Sequence, residues 1–149
     1  MKHRIMSAVM ILLLLFMCGC SKKSSPAIKI KSESVTSVVF KKTGYSDTDA
    51  TARTYTSKTV TERRDIDNLI DWVESFDLEK QSAIEIPVEQ VEFVIELNGT
   101  MLHKLIFLGD YVVLDTTAYT FKNASDKSKV LQKYNLLNYE EAKAELDLM

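Results

Sequence analysis

The chain has 149 residues, 46% hydrophobic and 27% charged, with a formal net charge of −2. That length suits one domain, and a balance this close to neutral, without a basic stripe, argues against nucleic acid as a partner. Two cysteines are too few for a disulfide scaffold.

Lys2, His3 and Arg4 precede a largely apolar run from Ile5 to Met17, and Cys18-Gly19-Cys20-Ser21 follows, then Lys22 and Lys23. A basic start, an apolar core of about a dozen residues and small residues before a cut site describe a secretory signal peptide. The residues Met17, Cys18, Gly19 and Cys20 resemble the lipobox of bacterial lipoproteins, with Gly19 and Cys20 matching best. The resemblance implies that Cys20 becomes the new N-terminus, carrying a thioether-linked diacylglycerol and often a third acyl chain such as palmitate. Cys18 would leave with the leader.

Acyl chains hold a protein on a bilayer because each buried methylene contributes about 0.8 kcal/mol. Lys22 and Lys23 would then face the headgroups, each gaining about 1 kcal/mol from anionic lipid. The competing reading is an uncleaved transmembrane helix, but Ile5 to Cys20 gives about sixteen residues where a span needs about twenty. Loss of Lys2 and Arg4 would take the net charge from −2 to −4. With Cys20 acylated, no thiol would remain for a disulfide.

Three parts follow: a signal peptide over 1–19, a lipid-anchored linker over 20–27, and one α+β domain over 28–149. Ser21 to Ala27 is polar, contains Pro26 and reads as a flexible spacer. Ile28-Lys-Ile30-Lys alternates, and Val35 to Phe40 continues in strand chemistry, which predicts one long strand. Thr43 to Thr51 is a polar loop. Arg53 to Thr61, dense in Thr, Tyr and Val, predicts a second strand at an exposed edge.

Ile66, Leu69, Ile70, Val73 and Phe76 recur at three- and four-residue steps, predicting a helix over 65–76. Asp65 is its expected N-cap, and Trp72 lies at the edge of the apolar stripe. Val91 to Leu97 alternates cleanly before Asn98-Gly99, the dipeptide best suited to a two-residue hairpin turn. Met101–Leu108, Tyr111–Leu114 and Ala118–Phe121 complete an expected antiparallel meander over 91–121. Lys127 to Tyr134 predicts a short helix. Asn138, with Glu141 three residues on, resembles a capping box opening a last helix over Tyr139–Leu148.

The expected fold class is therefore α+β: an antiparallel sheet, of two N-terminal strands plus the meander, covered by the 65–76 helix and followed by a helical C-terminal tail. The helix start Asp65-Ile66-Asp67…Ile70, the Leu97-Asn98-Gly99 turn and Tyr119-Thr120-Phe121 resemble small lipoproteins of low-GC Gram-positive bacteria whose domains have no assigned function. That resemblance implies a bacterial source and a compact fold, and no activity.

No pattern carries catalysis. His103 is the one histidine outside the leader, and a two-residue turn would set it opposite Val94 on a solvent-facing strand, far from a triad. Asp47-Thr-Asp49 opens like a calcium loop, but Ala52 and Lys58 occupy the glycine and terminal-glutamate positions, so neither metal nor cofactor is expected. Asp67, Asp71 and Glu74 share a helix face and read as its wet side. Arg63-Arg64 reads as a loop cap. The expectation is a membrane-anchored extracytoplasmic lipoprotein that is not an enzyme. It binds membrane lipid through Cys20 and an envelope protein or wall component through its body, the Arg53–Thr61 edge offering β-augmentation at Thr56. The alternative is an extracytoplasmic enzyme with a site of scattered polar residues. Pocket shape separates the two.

Overall fold

Alternation of apolar and polar residues sets two faces on each strand, and pairing lines those faces up into one sheet. The structure, a computed structural model, describes residues 26–46, 53–82 and 84–145. The leader, Cys20, Asp47, Asp49 and the end of the expected last helix lie outside the described residues. In chain order the elements are β1 (Val35–Tyr45), β2 (Arg53–Val60), α1 (Arg63–Glu74), β3 (Leu78–Lys80), β4 (Val91–Gly99), β5 (His103–Leu108), β6 (Tyr111–Leu114), β7 (Thr117–Phe121), α2 (Ala124–Leu136) and β8 (Glu141–Glu145). The strands form one open antiparallel sheet in the order β3-β7-β6-β5-β4-β1-β2-β8.

The α+β expectation is thereby corrected: the molecule is mostly antiparallel sheet, eight strands against two helices among the described residues. Two further strands account for much of the difference. Leu78–Lys80 pairs with β7, and Glu141–Glu145, expected to be helical, pairs with β2. The sequence Glu-Ala-Lys-Ala-Glu favours a helix, but β2 presents an open row of N–H and C=O groups that an extended chain satisfies. Tertiary demand overrides propensity there.

The register explains the core. Phe40 faces Ile95 and Val38 faces Leu97 across β1–β4, while Ile95 faces Leu105 and Phe93 faces Phe107 across β4–β5. These residues share one face, and α1 and α2 cover it. The helix α1 supplies Ile66, Leu69, Ile70 and Val73, all buried, and α2 supplies Val130 and Tyr134. Phe40 is fully buried at the centre, with ring centroids 5.3 Å from Tyr134, 6.0 Å from Phe93 and 6.3 Å from Trp72. Trp72 also meets Phe76 edge-on at 4.8 Å. On the opposite face, Ile84 and Ile86 pack on Leu108, Val113 and Ala118.

Several local expectations shift. Ile28 and Ile30 belong to no strand: Ile28 packs into the core, the Ile30 N–H donates to Glu74 Oε1 at 2.6 Å, and a 3₁₀ turn at Ser32–Ser34 precedes β1. The N-cap of α1 is Glu62, without a side-chain cap, and Asp65 sits in the first turn and accepts a hydrogen bond from Tyr139. The Asn98-Gly99 pair is not a tight turn. Both residues pair with β1, and the reversal falls over 100–102 so that His103 faces Leu97 rather than Val94. A Cβ on Gly99 would lie 1.8 Å from the Ser34 carbonyl oxygen, so this glycine permits close approach of two backbones.

Candidate functional site

At the end of the sheet where β1 stops and β2 and β4 begin, the helices leave the core face uncovered. A groove of about 790 Å³ opens there between the strand ends and the first turns of α2. Lys42 and Phe93 are register partners on its floor, Tyr45 rises on one side, and Leu131 and Lys127 face them from α2. Phe93 is buried, but Tyr45 is 56% exposed and Leu131 43% exposed, so the groove presents apolar surface to solvent.

Arg53 holds the wall in place. Its Nη1 donates to the Glu89 carbonyl at 2.7 Å and its Nη2 to the Val91 carbonyl at 2.6 Å, while the guanidinium lies 5.0 Å from the Tyr45 ring centroid. Its Nε is buried without a hydrogen-bond partner. Thr43 Oγ1 donates to the carbonyls of Val91 and Glu92, tying β1 to the start of β4. Lys127 Nζ stands 3.6 Å from Glu92 and 3.9 Å from Asp110. Arg53 is thus engaged with carbonyls and Lys127 with carboxylates, while Tyr45 and Leu131 leave apolar surface open beside them.

None of these residues was picked out by sequence, because they come from separated stretches that only the β1–β2–β4 register brings together. The available signal was slight: Tyr45 and Leu131 are large apolar residues in otherwise polar surroundings.

The residues that sequence did single out are placed elsewhere. Cys20, Asp47 and Asp49 lie outside the described residues. His103 sits at the far end of the sheet, its Nδ1 2.9 Å from Asp115 Oδ2, and Asp115 also accepts the Lys104 N–H at 2.9 Å. Partial burial works to raise the Asp115 pKa, but the hydrogen bonds from His103 and Lys104, with the imidazole's charge when protonated, outweigh it and hold the carboxyl below the usual range. Asp115 has φ of 54°, a left-handed backbone that Asp tolerates in turns. The pair therefore fastens strand ends together.

Asp67 is engaged by Arg63, whose hydrogen bond lowers the Asp67 pKa. Arg63 also donates to the carbonyls of Ser32 and Val35, and Glu74 binds the Ile30 N–H, so this acidic helix side braces the chain before β1. The Arg53–Thr61 strand is not an edge, since β8 covers it. That removes the expected augmentation site at Thr56, whose hydroxyl instead accepts from Tyr134.

Among the described residues no group of three or more His, Cys, Asp or Glu side chains is placed to hold a metal. No helix among them is long and apolar enough to cross a membrane. Comparison with known proteins finds no matching family model, no similar curated protein and no similar solved structure.

Proposed function

We propose that this chain is a lipoprotein, acylated at Cys20 and held on the extracytoplasmic face of the cell membrane. There it serves as a non-catalytic binding module for an envelope protein or wall component. The leader's pattern supports the anchor, and the groove at the β1/β2/β4 end carries the binding role. Apolar surface in a preformed cleft gains free energy when covered, about 25 cal/mol per Å². The hydrogen bonds of Arg53 and Thr43 fix the groove's wall in advance, which lowers the ordering cost of binding. Arg53 is held by carbonyls and Lys127 by the Glu92 and Asp110 carboxylates, an arrangement that suits holding a partner.

Site-specific photocrosslinking in intact cells tests this reading. A benzophenone side chain at position 131 should capture a discrete partner, while the same group at exposed Thr59, on the opposite face of β2 from the core, should capture at most a tenth as much. Equal capture at both positions would contradict the assignment of the groove.

A further inference from the structure

The groove does not end at β1. Lys42, Gly44 and Tyr45 also line a second hollow, of about 190 Å³, that continues to Thr54 and Thr56 on β2. Strand alternation puts Lys42, Gly44, Thr54 and Thr56 on the face that carries Phe40, and the register sets Lys42 between Phe93 on β4 and Thr56 on β2. One cation thus stands where an apolar cleft meets a patch of hydroxyls.

The polar groups at this junction are not equally occupied. Thr56 accepts a hydrogen bond from Tyr134 at 3.0 Å. Lys143, which also lines the hollow, has an interaction of its own. Lys42 is exposed and Thr54 is 8% exposed. Among the described residues the Lys42 ammonium and the Thr54 hydroxyl have neither a hydrogen bond nor an ion pair. Thr54 Oγ1 lies over Gly44, 3.8 Å from where a Cβ would stand, so a glycine keeps the space beside the hydroxyl open.

Lys42 and Thr54 are diagonal neighbours on adjacent strands, about 7 Å apart, a gap that the length of a lysine closes. Together they offer an ammonium and a hydroxyl, a donor set suited to one carboxylate. A dianion fits less well, because Glu89 stands on the rim and Glu92 and Asp110 lie across the groove with Lys127. Phe93 pairs directly with Lys42, about 5 Å away, so a ligand must carry its carboxylate and its apolar group close together. A polypeptide does so at its last residue, where the terminal carboxylate and the side chain share one α-carbon.

Resting on the groove as the binding site, we propose that it takes the C-terminal end of an envelope protein. Lys42 and Thr54 hold the terminal carboxylate, a known mode of peptide capture. The last side chain, large and apolar, lies on Phe93 beside Leu131 and Tyr45, covering the surface that those residues leave open.

Fluorescence polarisation with the full chain in detergent tests this. The probes are labelled Ser-Gly-Ser-Gly-Leu and Ser-Gly-Ser-Gly-Phe, each as the free acid and as the C-terminal amide. The acids should bind at least about tenfold more tightly than the amides. Lys42→Gln should erase that ratio, and Leu131→Ser should weaken acid and amide alike. Lys104→Gln, on the opposite face of the sheet, should leave the ratio intact. Three outcomes overturn the proposal: acid and amide bind equally, the ratio survives Lys42→Gln, or neither peptide binds, as a wall glycan in the groove predicts. Photocapture from position 131 separates the two levels. A discrete partner captured there without any preference for the acid leaves the groove assigned and removes the chain end as its occupant, whereas loss of that capture removes both.

Discussion

Phe40 shows how much one side chain can carry here. It is fully buried between the β4 face and α2, touching Phe93, Tyr134 and Trp72, so it joins the sheet to both helices. Phe40→Ala should lower stability by about 3–5 kcal/mol through lost transfer energy and the cavity left behind. Urea denaturation measures this, and a loss under about 1 kcal/mol would show that the aromatic cluster is not the centre of the core. Asp115 makes a prediction in pH. Its folded pKa lies below the ordinary value of 3.8, so its contribution is present above that value and lost as pH falls through the folded one. Asp115→Asn should flatten the acid limb of the stability curve while changing the plateau near pH 7 by only about 1 kcal/mol, the worth of one ordinary hydrogen bond. An unchanged acid limb would mean that the strand-end bonds contribute nothing. The side chain is 43% exposed, and solvent screening keeps the effect modest.

At the scale of elements, Gly99 and β8 carry the comparison between reading and structure. Gly99→Ala should cost about 2 kcal/mol or more, because the new Cβ would meet backbone at Ser34 and something must move. Gly44→Ala, whose Cβ would meet only Thr54 Oγ1 at 3.8 Å, should be nearly neutral, and thermal melts of the two variants decide the matter. If both melted like the unsubstituted chain, the close approach at Gly99 would be disproved. The strong periodicities were legible: Ile66, Leu69, Ile70 and Val73 do form one buried helix face, and Val91–Leu97 alternates as a strand. The meaning of Asn98-Gly99 was not, since a glycine that permits backbone approach looks the same in sequence as one that makes a turn. Nor was β8, whose residues favour a helix and adopt a strand because of what β2 lacks on that side. The groove was illegible for a related reason. Lys42, Tyr45, Arg53, Phe93 and Leu131 become neighbours only through a sheet register that no local window contains.

For the whole molecule, the sheet has one face built for packing and an end where packing stops. The aromatic cluster, α1 and the segment before β1 make that face rigid, with Arg63 and Glu74 holding the N-terminal approach. The groove lies at the end where α2 begins, and the His103–Asp115 fastening lies at the other end. This division places a preformed apolar cleft on a body that the proposed lipid at Cys20 would keep beside the membrane. Intact mass spectrometry of the chain purified from bacterial membranes tests that account most directly. The account predicts a polypeptide that begins at Cys20 and carries a diacylglycerol, with acylation abolished in Cys20→Ala. A chain retaining residues 1–19 with an unmodified Cys20 would contradict it.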